Sequence, residues 1–320
     1  MVGDEEYKLL KQKFDVYYEH KLLPILRENE KERHRYFRYF ELLLVMAVLF
    51  YPCVLYYILT TQQAENDAVI GVILGLSALL LIFFIGPIYL YRKKVKPQIM
   101  PEFANFFGSF RYELGGKLPD NLLRTSGIFG EYNTHESDDF FCGSYDEVKI
   151  SIAEERLQHV KTDMKNNKIK KDVFAGVCIL LEMNKSFKGK TLVLTDLGVF
   201  NGLYALKKFE GLENVKLEDL RFEKFFEVYS DDQIEARYLL TTAFMERMLQ
   251  LMKLFAGKHI QFCFDKSCLL IAIPTRQNMF EANSFFRTNL NKSKIDLVFE
   301  EFYTIFSIIK ILKLNQRIGM

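Results

Sequence analysis

The sequence predicts an α+β membrane protein. An N-terminal amphipathic helix and a two-helix transmembrane hairpin precede a cytosolic, antiparallel-rich sheet with flanking helices. Three observations carry this. Two uncharged apolar runs stand at 42–59 and 69–90, with a charged amphipathic stretch before them and short alternating segments after them. Each run has the length a helix needs to cross roughly 30 Å of hydrocarbon at about 1.5 Å per residue, and neither shows a polar stripe. Successive strand signals with few helices between them imply an antiparallel-rich sheet. The chain divides as 1–39, an amphipathic helical segment; 40–92, the hairpin; and 93–320, the cytosolic α+β domain.

Residues 4–38 read as helical, because Tyr7, Leu10, Phe14 and Tyr17 recur at helical spacing among charged residues. Pro24 is expected to break the stretch in two. Its polar face mixes Glu5, Glu6, Asp15 and Glu19 with lysines, which favours a protein contact over a uniformly basic lipid face. Because this charged stretch comes first, the 42–59 run reads as an anchor and not a cleaved leader. The linker between the runs has no Lys or Arg, whereas Lys31, Arg33, Arg35 and Arg38 precede the hairpin and Arg92, Lys93, Lys94 and Lys96 follow it. The positive-inside rule then puts both termini in the cytoplasm. In the second run Ala68, Gly71, Gly75 and Ala78 form a small-residue face, fit for packing on the first helix or on a second copy in a homo-oligomer. Neither run carries an ionisable residue of the kind that marks a transport path, such as Asp, Glu, Lys, Arg or His, which argues against one. Cys53 falls in the membrane; the other four cysteines are expected as reduced thiols, since five is odd and mostly widely spaced.

Beyond the hairpin, Phe103, Phe106, Phe107 and Phe110 read as a helix ending at Gly115-Gly116. Val148, Ile150 and Ile152 alternate as a strand, and 174–183, 191–194 and 215–217 also read as strands. So does 233–240, after the turn Ser230-Asp231-Asp232. Residues 242–255 form an amphipathic helix, 260–264 and 269–273 a hairpin around Asp265-Lys266-Ser267, and 295–314 a last helix.

The chemistry is sparse. With 43 Lys+Arg against 41 Asp+Glu, a nucleic-acid partner is not expected. Lys188-Gly189-Lys190-Thr191 ends like a phosphate-binding loop, but Asn184 replaces its first glycine and a strand, not a helix, follows. Cys263, Cys268 and His259 offer at most three zinc ligands, so two core cysteines are the default. The pairs Asp138-Asp139, Glu154-Glu155, Asp231-Asp232 and Glu300-Glu301 read as structural carboxylates, since neighbours on a strand face opposite ways. His135-Glu136 lacks the second histidine of a zincin motif. No catalytic residue, metal or cofactor is therefore expected.

Several stretches resemble a known family. They are Ser126-Gly127-Ile128-Phe129, residues 139–155, Val173-Phe174-Ala175-Gly176, residues 184–191 and, most strongly, residues 215–241. Together they are similar to domain-of-unknown-function family 3137, over roughly residues 30–315. The resemblance implies a bacterial inner-membrane protein with a two-span hairpin and a cytosolic domain, and supplies no catalytic residues. Within 215–241, Asp231, Asp232, Glu235 and Arg237 are candidates for a polar network or a ligand site. The function expected is that of a membrane-anchored interaction, scaffolding or regulatory domain with a protein partner. A small-ligand, lipid or nucleotide-binding domain, or an unrecognised enzyme, is the alternative.

Overall fold

The computed structural model describes residues 4–60, 67–163, 165–183, 186–195, 211–255, 259–275 and 278–314. The fold is α+β, and its chain forms two compact units. One comprises Met1–Leu10, Phe103–Phe280 and Asp296–Met320; the other comprises Lys11–Glu102 and Glu281–Ile295.

Helix α1, Asp4–Tyr17, runs through a π-helical turn, Tyr18–Leu22, into α2, Leu23–Thr60. Pro24 does not break the helix: the wider turn falls just where Pro24 has no N–H to donate. Along α2 the apolar face of the 42–59 run is exposed at Leu42, Val45, Met46, Val48 and Leu49. This helix is long and apolar enough to cross a membrane. Helix α3, Asp67–Phe107, continues unbroken through Pro87, Pro97 and Pro101.

Within the helical unit, ion pairs and rings join α2 to α3 and to the 281–291 segment. Lys94 meets Glu32 at 3.0 Å, and Glu281 takes both Arg92 (2.8 Å) and the fully buried Lys96 (2.9 Å). Arg33 donates to Glu30 and to the Phe285 carbonyl, while the Asn289 amide donates to Glu30. Burial pushes the Glu30 carboxyl up, but Arg33 and the Asn289 amide outweigh it and hold the group below its ordinary value.

In the other unit, β1 (Ser109–Leu114), β2 (Thr134–Tyr145), β3 (Val148–Thr162), β4 (Lys168–Glu182), β5 (Thr191–Thr195), β6 (Glu213–Asn214), β7 (Phe226–Ser230), β8 (Gln261–Asp265) and β9 (Cys268–Pro274) form one sheet. Its order is β1-β2-β3-β4-β9-β8-β5-β7-β6, and every pair is antiparallel. The pairing registers build a row of buried apolar residues across seven strands: Phe141, Ile152, Ile179, Ile271, Phe262, Val193 and Val228. A one-residue slip would turn each of them to the other face, so this row fixes the register. Phe302 of α8 (Lys292–Leu312) packs on Phe141 at 5.1 Å, and Phe244 of α7 (Thr242–Leu254) packs on Phe264 at 6.0 Å. On the opposite face α4, Asp120–Thr125, and the loop after it cover Ala153, Leu157, Cys178, Leu270 and Ala272.

Two predicted elements change class. The phenylalanine helix stops at Phe107 and β1 begins at Ser109. Gly108 is the pivot, since a Cβ there would lie 2.6 Å from the Ser144 carbonyl oxygen across the β1–β2 pair. The expected strand at 233–240 is helix α6, Gln233–Leu239. Asp232 caps it by accepting the Ile234 and Glu235 amides, and a capped turn settles an ambiguous apolar run as helix. The short strand expected at 215–217 lies slightly earlier, as β6, and is followed by the one-turn helix α5, Leu220–Glu223.

Candidate functional site

The strongest stretch of family resemblance folds around a set of carboxylates. After β7, Asp231 turns back and accepts the Lys190 amide at 2.7 Å. Asp232 caps α6, and Glu235 in the first turn of that helix accepts the amides of Lys188 (2.9 Å) and Gly189 (2.7 Å). The amides of the loop that ends like a phosphate-binding motif are therefore taken by two carboxylates of the same protein, Asp231 and Glu235. Three consecutive amides that a nucleotide would need are already bonded. Gly189 is required by contact: a Cβ would stand 2.4 Å from an Asp231 oxygen. The structure brings Asp231, Asp232 and Glu235 together; Arg237 lies in the last turn of α6 and donates to the Gln233 carbonyl of its own helix.

A second polar cluster escaped the sequence reading. His135, near the start of β2, is 6% exposed at its side chain, and Glu155 of β3 is 0% exposed. His135 Nε2 lies 2.7 Å from Glu155 and Nδ1 lies 3.2 Å from Asp120 at the start of α4. Both carboxylates are acceptors when ionised, so satisfying both contacts takes two ring N–H groups or a proton on one carboxyl. Glu155 also accepts the Leu118 amide at 2.9 Å. Asp120 receives Arg124 at 2.6 Å and the Tyr132 hydroxyl at 2.9 Å. The Arg124 guanidinium holds the Asp120 carboxyl below its usual range, while burial and the Asp120 charge push Tyr132 up. No motif could have found this site, because its members stand 15 and 20 residues apart. The β2–β3 register makes them neighbours: His135 faces Leu157, two residues along from Glu155 on the same side.

The remaining candidates separate. Cys263 is buried in the core, with its thiol pushed up to about 12 by burial, Cys268 is partly buried and His259 is exposed. Among the described residues these three do not gather as metal ligands. Within the acidic pairs, Asp139 accepts from the Tyr112 hydroxyl, Glu154 from the Met279 amide, Glu300 from the Tyr7 hydroxyl and Glu301 from the Phe280 amide. Gly71, Gly75 and Ala78 are exposed on α3, and an added Cβ at either glycine would meet no described atom within 4 Å. The side chain of Ala68 lies outside the described residues. Beside the sheet a cleft of about 310 Å³ opens between Ile128, Phe129, Val173, Phe174 and His259. Two of the family-like stretches, at 126–129 and 173–176, supply five of the eleven residues that line it.

The chain thus combines an α+β sheet unit with one long helix apolar enough to cross a membrane, and the carboxylates of the 231–235 stretch are bonded to the chain's own amides. Residues 172–314 match a family model described as "Protein of unknown function (DUF3137)", which places this part of the chain in that family. The match begins in β4 and ends just beyond α8, so the 42–59 and 69–90 runs lie outside it. No curated protein matches the chain. Among solved structures, the chain is similar to the mycobacterial trehalose monomycolate transport factor A, at 13% identity and a TM-score of 0.33. That likeness covers 68% of this chain and 97% of the other, and at such a score it carries nothing about function.

Proposed function

We propose that this protein is a membrane-anchored interaction or scaffolding protein of the bacterial inner membrane. In this reading α2 and α3 cross the bilayer as a hairpin, both termini stay in the cytoplasm, and the α+β domain binds a protein partner. The uncharged runs and the basic residues flanking them support the anchor. One observation carries the partner. In the family-like stretch Leu220 is 79% and Ile234 83% exposed, and Tyr238 shares the outer face of α6 with Ile234 at i, i+4. Apolar side chains held out on one helix face, as Ile234 and Tyr238 are, supply an interaction surface. The carboxylates beside them, being spent on the chain's own amides, leave apolar contact as the recognition chemistry. The test is a photo-crosslinking residue at Tyr238 in the full chain, expressed in its own cells. A discrete adduct that disappears on Ile234→Asp is expected, and a second copy of this chain is one admissible partner. No adduct, or one indifferent to Ile234→Asp, would contradict the proposal.

The cleft beside Phe129 and Phe174 supports the second reading, a small apolar or amphipathic ligand. A thermal shift of several degrees for the detergent-solubilised full chain, in a lipid and metabolite panel, would favour it.

A further inference from the structure

We propose that the 281–291 loop is a lipid-contacting element, with Phe286 seated in the interfacial layer of the same bilayer and Arg287 against anionic headgroups. This deepens the membrane reading above and rests on it.

The loop is built to hold one ring outward. Its backbone is tied to α2 by the bonds of Arg33 to the Phe285 carbonyl and of the Asn289 amide to Glu30. The Asn289 side chain reaches the Tyr91 hydroxyl of α3 at 2.5 Å. Phe285 packs inward on Phe37, Phe40 and Tyr91, at ring distances of 5.8, 5.7 and 5.6 Å. Phe286, the next residue, is 60% exposed and touches Phe40 at 5.7 Å.

That contact fixes its level. Phe40 stands two residues ahead of the 42–59 run and meets Phe84, which lies within the 69–90 run, at 5.5 Å. Phe286 is therefore presented at the start of the α2 run, on the ring that meets Phe84, six residues inside the end of the 69–90 run. Tyr39 and Tyr89, which stand near the cytosolic ends of these runs in the sequence, are exposed, as are the cations Arg38, Lys93 and Arg287. Aromatic rings at the mouth of an apolar run, next to exposed cations, match the headgroup layer of an anionic membrane. A pinned loop also loses little conformational freedom when its tip enters that layer. A protein partner at this spot would have to share the surface with lipid at the same level.

The chain contains no tryptophan, so a single Trp reports its own position. Phe286→Trp and Val48→Trp, each in the full chain, are reconstituted in vesicles of phosphatidylcholine and phosphatidylglycerol. The phosphatidylcholine is brominated either near the headgroup or deep in its chains. Val48 sits about 9 Å along α2 from Leu42 at the usual helical rise. Shallow bromines are expected to quench Phe286→Trp most strongly, and deeper bromines Val48→Trp. Arg287→Glu should weaken the first effect in anionic vesicles only. Should Trp at 286 fold poorly, a nitroxide on Phe286→Cys gives the same depth through oxygen against nickel accessibility. If Val48→Trp is quenched while position 286 stays in water, or is reached best by deep bromines, the lipid contact is overturned and the anchor stands. If neither position is quenched, the anchor fails and this inference with it.

Discussion

Replacing His135 by leucine removes one side of a buried pair and leaves Glu155 behind. The Glu155 side chain is 0% exposed and loses its imidazole contact at 2.7 Å. Breaking a buried pair from one side costs about 3–5 kcal/mol, because a buried charge is left without its partner. The Leu118 amide still donates to Glu155, which places the cost at the lower end, about 3 kcal/mol. At about 2–4 °C per kcal/mol for a domain of this size, the transition should fall by about 6–12 °C. The assay is thermal unfolding of the detergent-solubilised chain, followed by circular dichroism. Pairing the change with Glu155→Gln should recover part of the loss, since the neutral side chain removes the uncompensated charge while its Oε1 still accepts the Leu118 amide. A single variant within about 1 kcal/mol of the parent would refute this reasoning. So would a double variant no better than the single one.

Further outcomes follow from the same structure. Glu235→Ala should leave the Lys188 and Gly189 amides without their acceptor, costing about 1–2 kcal/mol and speeding hydrogen exchange at those amides. Arg237→Ala, which removes a bond to its own helix, should stay within about 0.5 kcal/mol. Burial and the carboxylates Glu300 and Glu102 raise Tyr7 and Tyr17 from 10.0 to about 12. Above pH 10 the unfolded chain loses these protons while the folded chain keeps them, so their contribution is whole below pH 10 and fades as pH rises towards 12. Tyr7→Phe and Tyr17→Phe should flatten that alkaline loss; a loss equally steep in both variants would assign it elsewhere.

Much of the fold was legible where one local signal dominated. The β8–β9 hairpin announced itself through Asp265-Lys266-Ser267, and Lys266 does take a positive φ of 57° at the turn. Helix α7 showed a clear apolar stripe ending in the buried Met248 and Leu251. Strand β2 was silent because Glu136, Asp138 and Asp139 interrupt its alternation, and its register shifts between Ser137 and Phe140. β1 was hidden by phenylalanines whose helical spacing runs straight across the Gly108 pivot. For α6 a usable sign existed: Asp232 followed three residues later by Glu235 is a helix start, but Ser230-Asp231-Asp232 also reads as the turn before a strand. The candidate carboxylates were legible as a cluster because Asp231, Asp232 and Glu235 are close in sequence. Their bonding to Lys188–Lys190 and the His135 cluster were not, since both depend on which strands the sheet sets side by side.

The anchor is tested most directly by thiol labelling in intact cells with a membrane-impermeant maleimide. Gln62→Cys in the linker between the two apolar runs is compared with Ile169→Cys in the sheet, after Cys53, Cys142 and Cys268 are changed to serine. A two-span anchor with its folded domain inside requires label on position 62 at once, and on position 169 only after the membrane is opened. Label on position 169 in unbroken cells, or none on position 62, would contradict it.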